Sequence, residues 1–250
     1  MNVAALKITR VFADGRSEEK DLLSVTEHAL EIFVNGKKTA SLVCTPTNLL
    51  ELVAGRLLTL GFIEEKSEIA EINFCESKHR AFVTLLHQIP LEEKTDTELT
   101  CCTSNHQLAM NSSISELPIL KKTEWNKEEI FALAKEFSKG TVVHTHTAGT
   151  HSCILAVDGK PVFTAEDIGR HNALDKAAGY MLLNDLPCER SIVFTSGRVP
   201  VDMVEKTIRA RIPVLVAKSV PTAQSAELAR KHNLTLICRA WEDSFDIVND

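Results

Sequence analysis

Two adjacent thiols, Cys101 and Cys102, lie in TELTCCTSNHQ (97–107), a polar run without an apolar period. A disulfide between neighbouring residues is strained, and a metal site needs further ligands close by. The functional reading is therefore a reactive thiol on a loop. Thiolate is the nucleophilic form, and a loop can carry it from one partner to another. On these residues alone, incidental cysteines in an exposed loop are an equal alternative.

Three other stretches hold groups that can do chemistry. TSGR (195–198) and KSVPT (218–222) each follow a buried strand-like run and open a helical one. Ligands of open α/β sheets bind outside the carboxyl ends of the strands, where helix N-termini offer free N–H groups to anions. Ser196, Gly197, Arg198, Ser219 and Thr222 are thus candidates to cradle a phosphate; ordinary loops with capping hydroxyls read the same way. HTHTAGTH (144–151) would set His144 and His146 on one face of a strand, and neutral imidazoles bind zinc. No Cys or carboxylate follows at zinc-site spacing, so no metal ligand is assigned. Pro187-Cys188 begins a zinc deaminase pattern, but Ser191 stands where its second cysteine would fall. AEDIGRHNALDK (165–176) gathers Glu166, Asp167, Arg170, His171 and Asp175 between a strand and a helix, with Asn172 as the expected cap. Charges this dense can orient a ligand or tune a proton transfer; a solvated turn with a local salt bridge is the alternative.

The elements that must position these residues follow from periodicity. EHALEIFVNGKKTASLVC alternates about Asn35-Gly36 and predicts a hairpin. TPTNLLELVAGRLLTLGFI predicts a helix capped by Thr45 with Pro46 in its first turn. EIAEINFCE and HRAFVTLLH add strands, giving an α+β unit over residues 1 to about 90. From Gln88 to about Trp125 the chain is polar and aperiodic. NKEEIFALAKEFSKG then predicts a helix with Asn126 as cap and Gly140 as stop, and CILAVDGKPVFTAE a hairpin about Asp158-Gly159. NALDKAAGYMLL predicts a helix. SIVFTSG, PVLVAKS and LTLICRA read as strands alternating with the helices PVDMVEKTIRAR and TAQSAELARKHN, a parallel sheet covered on both faces.

With 250 residues and 44% apolar composition, the chain can bury a real core. A net charge of −6 argues against a DNA, RNA or membrane-surface binder, since both need clustered positive charge. MNVAALKITRVFADG lacks a signal-like apolar run, so the expected location is the cytoplasm. Seven cysteines without framework spacing read as free thiols there, and Cys44, Cys75, Cys153 and Cys238, set among apolar residues, as small hydrophobes.

The blocks TPTNLLELVAGRLLTLGFI, TAGTH, EDIGRHNALDKAAG, TSGRVPVDMVEKTIRARIPVLVAKSVPT and ELARKHNLTLI resemble, in order and spacing, the formate dehydrogenase accessory sulfurtransferases, the FdhD family. The resemblance implies an α/β protein: a cytidine deaminase-like, three-layer C-terminal domain (125–250) without that enzyme's zinc site, and a smaller α+β N-terminal domain (1–112). It implies a homodimer that takes sulfur from a cysteine desulfurase as a persulfide. The sulfur then passes to the molybdenum (or tungsten) bis-molybdopterin guanine dinucleotide cofactor of formate dehydrogenase. The family loop reads Cys-Gly-x-Cys-Gly; Cys101 matches the persulfide-bearing first cysteine, Cys102 the glycine and Ser104 the second cysteine. Implied contacts to a guanine-containing nucleotide or the cofactor are Thr150, His151, Arg170, His171, Ser196, Arg198, Ser219 and Thr222. To these the resemblance adds the tail Arg239, Ala240, Trp241, Glu242, Asp243 and Ser244, which replaces a Gly-rich basic segment. Two other readings remain: a non-catalytic module that binds and delivers the cofactor, and a metal hydrolase using His144, His146 and His151.

Overall fold

The computed structural model describes residues 3–89, 106–107 and 116–250. It opens with a hairpin absent from the sequence reading, β1 (Val3–Val11) and β2 (Ser17–Val25), which forms a sheet of its own. The expected hairpin is β3 (His28–Val34) and β4 (Lys37–Cys44), turning at Asn35 and Gly36 with φ of 47° and 79°, as a type I′ turn requires. After α1 (Leu49–Thr59) come β5 (Ile69–Phe74) and β6 (Arg80–Leu85), then a two-residue strand β7 (His106–Gln107). These make a five-stranded sheet in the order β5-β6-β3-β4-β7. One face buries Leu30, Ile32, Leu42, Ala81 and Val83; the other leaves Phe82 exposed.

The second half holds α2 (Lys127–Ser138), α3 (Val142–Thr147), β8 (His151–Val157), β9 (Lys160–Asp167), α4 (Arg170–Leu183), β10 (Ser191–Thr195), α5 (Val201–Arg209), β11 (Val214–Ala217), α6 (Ala223–Lys231), β12 (Thr235–Cys238) and β13 (Asp246–Asn249). Its sheet runs β13-β12-β11-β10-β8-β9, with β10, β11 and β12 parallel and the rest antiparallel. The parallel strands β10, β11 and β12 are buried along their whole length because both faces are covered. Val193, Leu215 and Leu236 join the cluster that holds Leu174 of α4 and Met203 of α5. Their neighbours Phe194, Val216 and Ile237 pack with Ile130 and Leu133 of α2.

The two sheets share one apolar cluster, joined where α1 crosses α4. The crossing is backbone on backbone: a Cβ added to Gly55 would lie 1.7 Å from Asp175 O, and one on Gly179 1.8 Å from Glu51 O. Beside it sit two buried ion pairs. Asp175 accepts from Lys206 Nζ at 2.7 Å and from Thr59 Oγ1 at 2.6 Å, with Arg56 at 3.5 Å. Lys176 Nζ lies 2.7 Å from Asp167, both wholly buried, and donates to Thr45 Oγ1 at 2.7 Å. Burial pushes the Lys206 ammonium below its usual range, against the pull of Asp175. Because each charge has a partner and further hydrogen bonds, the pairs lock the register of the joint.

Several expectations change. Thr45 does not cap α1, because Asp167 takes its N–H (3.0 Å) and its hydroxyl (3.1 Å); the helix starts later, behind Asn48 at φ 52°. HTHTAG is not a strand: Glu166 accepts from Val143 N–H, His144 N–H and Thr141 Oγ1, which winds residues 142–147 into α3. Asn172 is not the cap of α4. Gly169 is, and Asn172 inside the first turn donates to Asp167 Oδ1 and Val43 O, both at 2.9 Å. AEDIGRHNALDK is thus a buried joint instead of a solvated turn. Asn126 does cap α2, through Glu128 N–H, and Gly140 follows it at φ 72°. Cys44, Cys153 and Cys238 are buried, their thiols pushed up to about 12 by burial. Cys75 is not one of this set: it is only partly buried, with Arg80 N–H donating to its sulfur, and a hydrogen bond with Ser77 holds its thiol below the usual range.

Candidate functional site

The parallel strands β10, β11 and β12 all end on one edge of the six-stranded sheet. Because β8 runs antiparallel to β10, and β9 to β8, the start of β8 and the end of β9 lie on the same edge. The edge therefore collects His151, Asp167 and the loops 196–200, 218–222 and 239–245. Backbone bonds tie these loops together: Val199 N–H donates to Val220 O, Thr222 N–H to Val199 O, Arg239 N–H to Ser219 O and Ala240 N–H to Ala217 O.

At the β10 end, Ser196 Oγ accepts from Ser152 N–H and lies 3.1 Å from His151 Nδ1. Gly197 is needed here, since a Cβ would meet the Arg170 side chain at 3.0 Å. Arg170 Nε is buried without a hydrogen-bond partner among the described residues. His171 Nε2 stands 2.7 Å from Asp202 Oδ2 on α5. Burial raises the Asp202 carboxyl, but the His171 hydrogen bond and the His171 and Arg170 charges outweigh it and hold the group below its usual range. Burial, helped by Arg170, holds the His151 imidazole below its ordinary value, favouring the neutral ring. Thr150 Oγ1 donates to Glu166 at 2.7 Å. The result is a guanidinium and a histidine–aspartate pair beside a histidine biased toward its neutral form, a set able to meet an anion and hold a proton.

At the β11 and β12 ends, Lys218 Nζ lies over Phe137 and Trp241, 5.4 and 5.0 Å from the ring centroids. Arg198 is exposed, as are Glu242, Asp243 and Ser244. Four expected contacts change role. Thr222 caps α6 through Ser225 N–H, so its hydroxyl is committed. Ala240 is fully buried and offers no surface. Arg239 is drawn to Asp246, and Ser196 is bound to β8.

Asp202 and Lys218 were missed from the sequence. Asp202 carried no local signal, because its partner His171 sits on another helix. Lys218 stands in KSVPT and could have been weighed with its hydroxyl neighbours. Cys101, Cys102 and Ser104 lie outside the described residues. The nearest described segment, β7, pairs antiparallel with β4 (His106 with Ser41, Gln107 with Ala40). Among the described residues, no three His, Cys, Asp or Glu side chains form a group suited to a metal ion. His144 and His146 bond backbone carbonyls, Thr150 O and Val142 O. Among the described residues, no helix is long and apolar enough to cross a membrane.

Residues 25–250 match the model of the FdhD/NarQ family. The chain belongs to that family. It is 28% identical to the sulfur carrier protein FdhD of Bacillus subtilis (strain 168), over 98% of this chain and 95% of that protein. It is 30% identical to the sulfur carrier protein FdhD of Halalkalibacterium halodurans, over 84% and 80% of the two chains. A crystal structure from Desulfotalea psychrophila, assigned there as a formate dehydrogenase accessory protein, superposes with a TM-score of 0.81 at 25% identity, covering 100% of this chain and 98% of the other.

Proposed function

We propose that this protein is a sulfur carrier that serves formate dehydrogenase, with Cys101 as the sulfur-bearing residue. The observation that carries the reading is the family match across residues 25–250. In the proposed sequence, the Cys101 thiolate attacks the outer sulfur of a cysteine desulfurase persulfide. A new S–S bond forms and the desulfurase thiolate leaves; later the outer sulfur passes to the molybdenum or tungsten bis-molybdopterin guanine dinucleotide cofactor as substrate, the Cys101 S–S bond breaking with Cys101 thiolate as leaving group and the reduced cofactor supplying the two electrons that bind the sulfur. The edge suits such a client. Arg170, Arg198 and Lys218 supply cationic groups for phosphates, and Trp241 beside Lys218 offers an aromatic face for a guanine base. Glu242 and Asp243 oppose phosphate, which favours a reading with the anion nearer β10 than the tail. In this reading the protein works in the cytoplasm as a homodimer, and its C-terminal unit is cytidine deaminase-like, with a mixed sheet between α2 and the α4–α6 layer.

Ser104, where the family's second thiol is expected, favours a second reading, delivery of the cofactor without sulfur chemistry. One experiment separates the two. After incubation with a cysteine desulfurase and cysteine, Cys101 should gain about 32 Da. Cys101→Ala should lose the adduct and formate dehydrogenase maturation together; maturation that survives the substitution identifies a carrier of cofactor alone.

A further inference from the structure

At the β10 end of the sheet edge, Ser196 Oγ accepts from Ser152 N–H and lies 3.1 Å from His151 Nδ1. Its oxygen is thus committed to β8 as an acceptor, but its proton is a separate capacity, since a hydroxyl also donates once. Among the described residues, the acceptor within reach of that proton is His151 Nδ1. The two side chains can share a proton in two ways. A neutral ring with its own proton on Nε2 takes the Ser196 hydroxyl proton at Nδ1. A protonated ring donates from Nδ1 to Oγ instead, and the hydroxyl proton is released to another acceptor. Both side chains are partly exposed, so the released proton can turn to the open side of the edge.

The surroundings of the ring decide between the two. Burial opposes a proton on His151, as do the charges of Arg170 on α4, His144 on α3 and His171 on α4, while Asp167 of β9 favours it. His171 has a carboxylate of its own, Asp202 at 2.7 Å, and His144 Nδ1 lies 2.8 Å from Thr150 O. The edge by itself therefore holds a neutral His151. Arg170 passes the same loop, with its Cβ and Cδ 3.0 Å from where a Cβ on Gly197 would lie. An anion that meets Arg170 cancels its field at the ring and adds a negative charge beside it, and both effects favour the imidazolium. We propose that a phosphate of the client docks here together with a proton, which enters on His151 and turns the Ser196 hydroxyl from the ring to the phosphate. Solvent supplies the proton, and the one bond formed is N–H at Nδ1. The phosphate then meets Arg170, a nearby imidazolium and a hydroxyl donor that the unliganded edge withholds. A neutral or cationic ligand does not bring the proton in, so the pair selects for an anion.

The inference rests on the reading that this edge holds the phosphates of a guanine-containing client. Its test uses the full chain and diguanosine pyrophosphate, whose two phosphates keep one charge each near neutral pH, so that any proton taken up is the protein's. Calorimetric titration in buffers of differing ionisation enthalpy should show uptake of about 0.5–1 proton per bound probe near neutral pH. Affinity should fall by up to ~10-fold per unit as pH rises above about 6.5, because the bound ring keeps a proton that the free ring has lost. His151→Gln should abolish both effects. Ser196→Ala should keep the uptake but lower the affinity ~10-fold, and Ser196→Thr should restore it. In NMR spectra of the unsubstituted chain, the ring nitrogen shifts of His151 should show a neutral form protonated on Nε2 that becomes doubly protonated as probe is added. Heat independent of the buffer overturns the inference and leaves the client reading standing. So does uptake that survives His151→Gln and hence belongs to His144 or His171, full affinity in Ser196→Ala, or a neutral ring protonated on Nδ1. A probe that does not bind overturns both.

Discussion

Gly179→Ala tests the joint between the two sheets most directly. The added methyl would sit 1.8 Å from Glu51 O, whereas carbon and carbonyl oxygen ordinarily approach to about 3.3 Å. Helices α1 and α4 must therefore part by about 1.5 Å. Close-packed interiors transmit such a shift instead of absorbing it. The displacement also stretches the 2.6 Å hydrogen bond from Thr59 to Asp175 and moves Arg56 away from the same carboxylate. Overpacking alone costs roughly 1–3 kcal/mol; with the buried hydrogen bond weakened, the expected loss is about 3–4 kcal/mol. In urea, with a slope of about 2–3 kcal/mol per molar, the midpoint should fall by more than ~1 M. Gly55→Ala, whose methyl would lie 1.7 Å from Asp175 O, should do the same. The double variant should cost less than the sum, because helices already parted for one methyl have room for the other. An unchanged midpoint for either single variant, or strict additivity, refutes direct backbone contact at this crossing.

Two further outcomes follow from the buried charges. Asp175→Asn leaves the fully buried Lys206 and nearby Arg56 without their carboxylate and should lower stability by about 3–5 kcal/mol by denaturant titration; Asp175→Asn with Lys206→Met should recover much of it, and no recovery would mean the ammonium is not the source. His151 has a folded-state value below the ordinary 6.5, so as pH falls below 6.5 the unfolded chain takes up this proton first and stability drops until the folded value is passed. The urea midpoint should fall between pH 8 and pH 5.5, and His151→Gln should remove part of that fall; an identical slope in the variant would sink the assignment.

What the sequence made legible was whatever depends on local pattern. Asn35-Gly36 and Asp158-Gly159 announce their hairpins because two-residue turns need particular φ values, and Asn126 announces α2 because a cap is a local bond. The apolar runs at 191–195, 214–217 and 235–238 state their own burial. Errors arose where a distant group captured a local signal. Thr45 looks like a cap until Asp167, 122 residues away, takes its hydroxyl. HTHTAG lacks helical periodicity and winds into α3 through Glu166. For AEDIGRHNALDK a ligand-facing turn and a solvated one read alike, yet Asp167 and Asp175 take Thr45, Thr59 and Arg56 as partners from the other half of the chain. An arginine in the apolar helix LLELVAGRLLT was the available hint, since a buried guanidinium needs a buried acid. The first hairpin went unread because its strands mix charged and apolar residues on both faces.

The joint also bears on how sulfur would reach the sheet edge. Thr45 closes β4 and is bonded to Asp167 at that edge. Ser41, four residues before it, pairs with His106, so at about 3.3 Å per residue this pairing lies ~13 Å from Thr45. Cys101 precedes His106 by five residues, a tether of at most about 17 Å. The constraint acts through β4, whose end is fixed by Asp167 and Lys176. In the proposed route, a substitution that loosens this buried pair shifts the end of β4 against the sheet edge and should impair delivery even with Cys101 intact. Under the proposed function, persulfide loading should depend only on the thiol and the desulfurase, and transfer on the joint as well. Asp167→Asn, which removes the carboxylate that holds Thr45 and Lys176, should therefore separate the two steps, leaving the mass gain on Cys101 while lowering maturation.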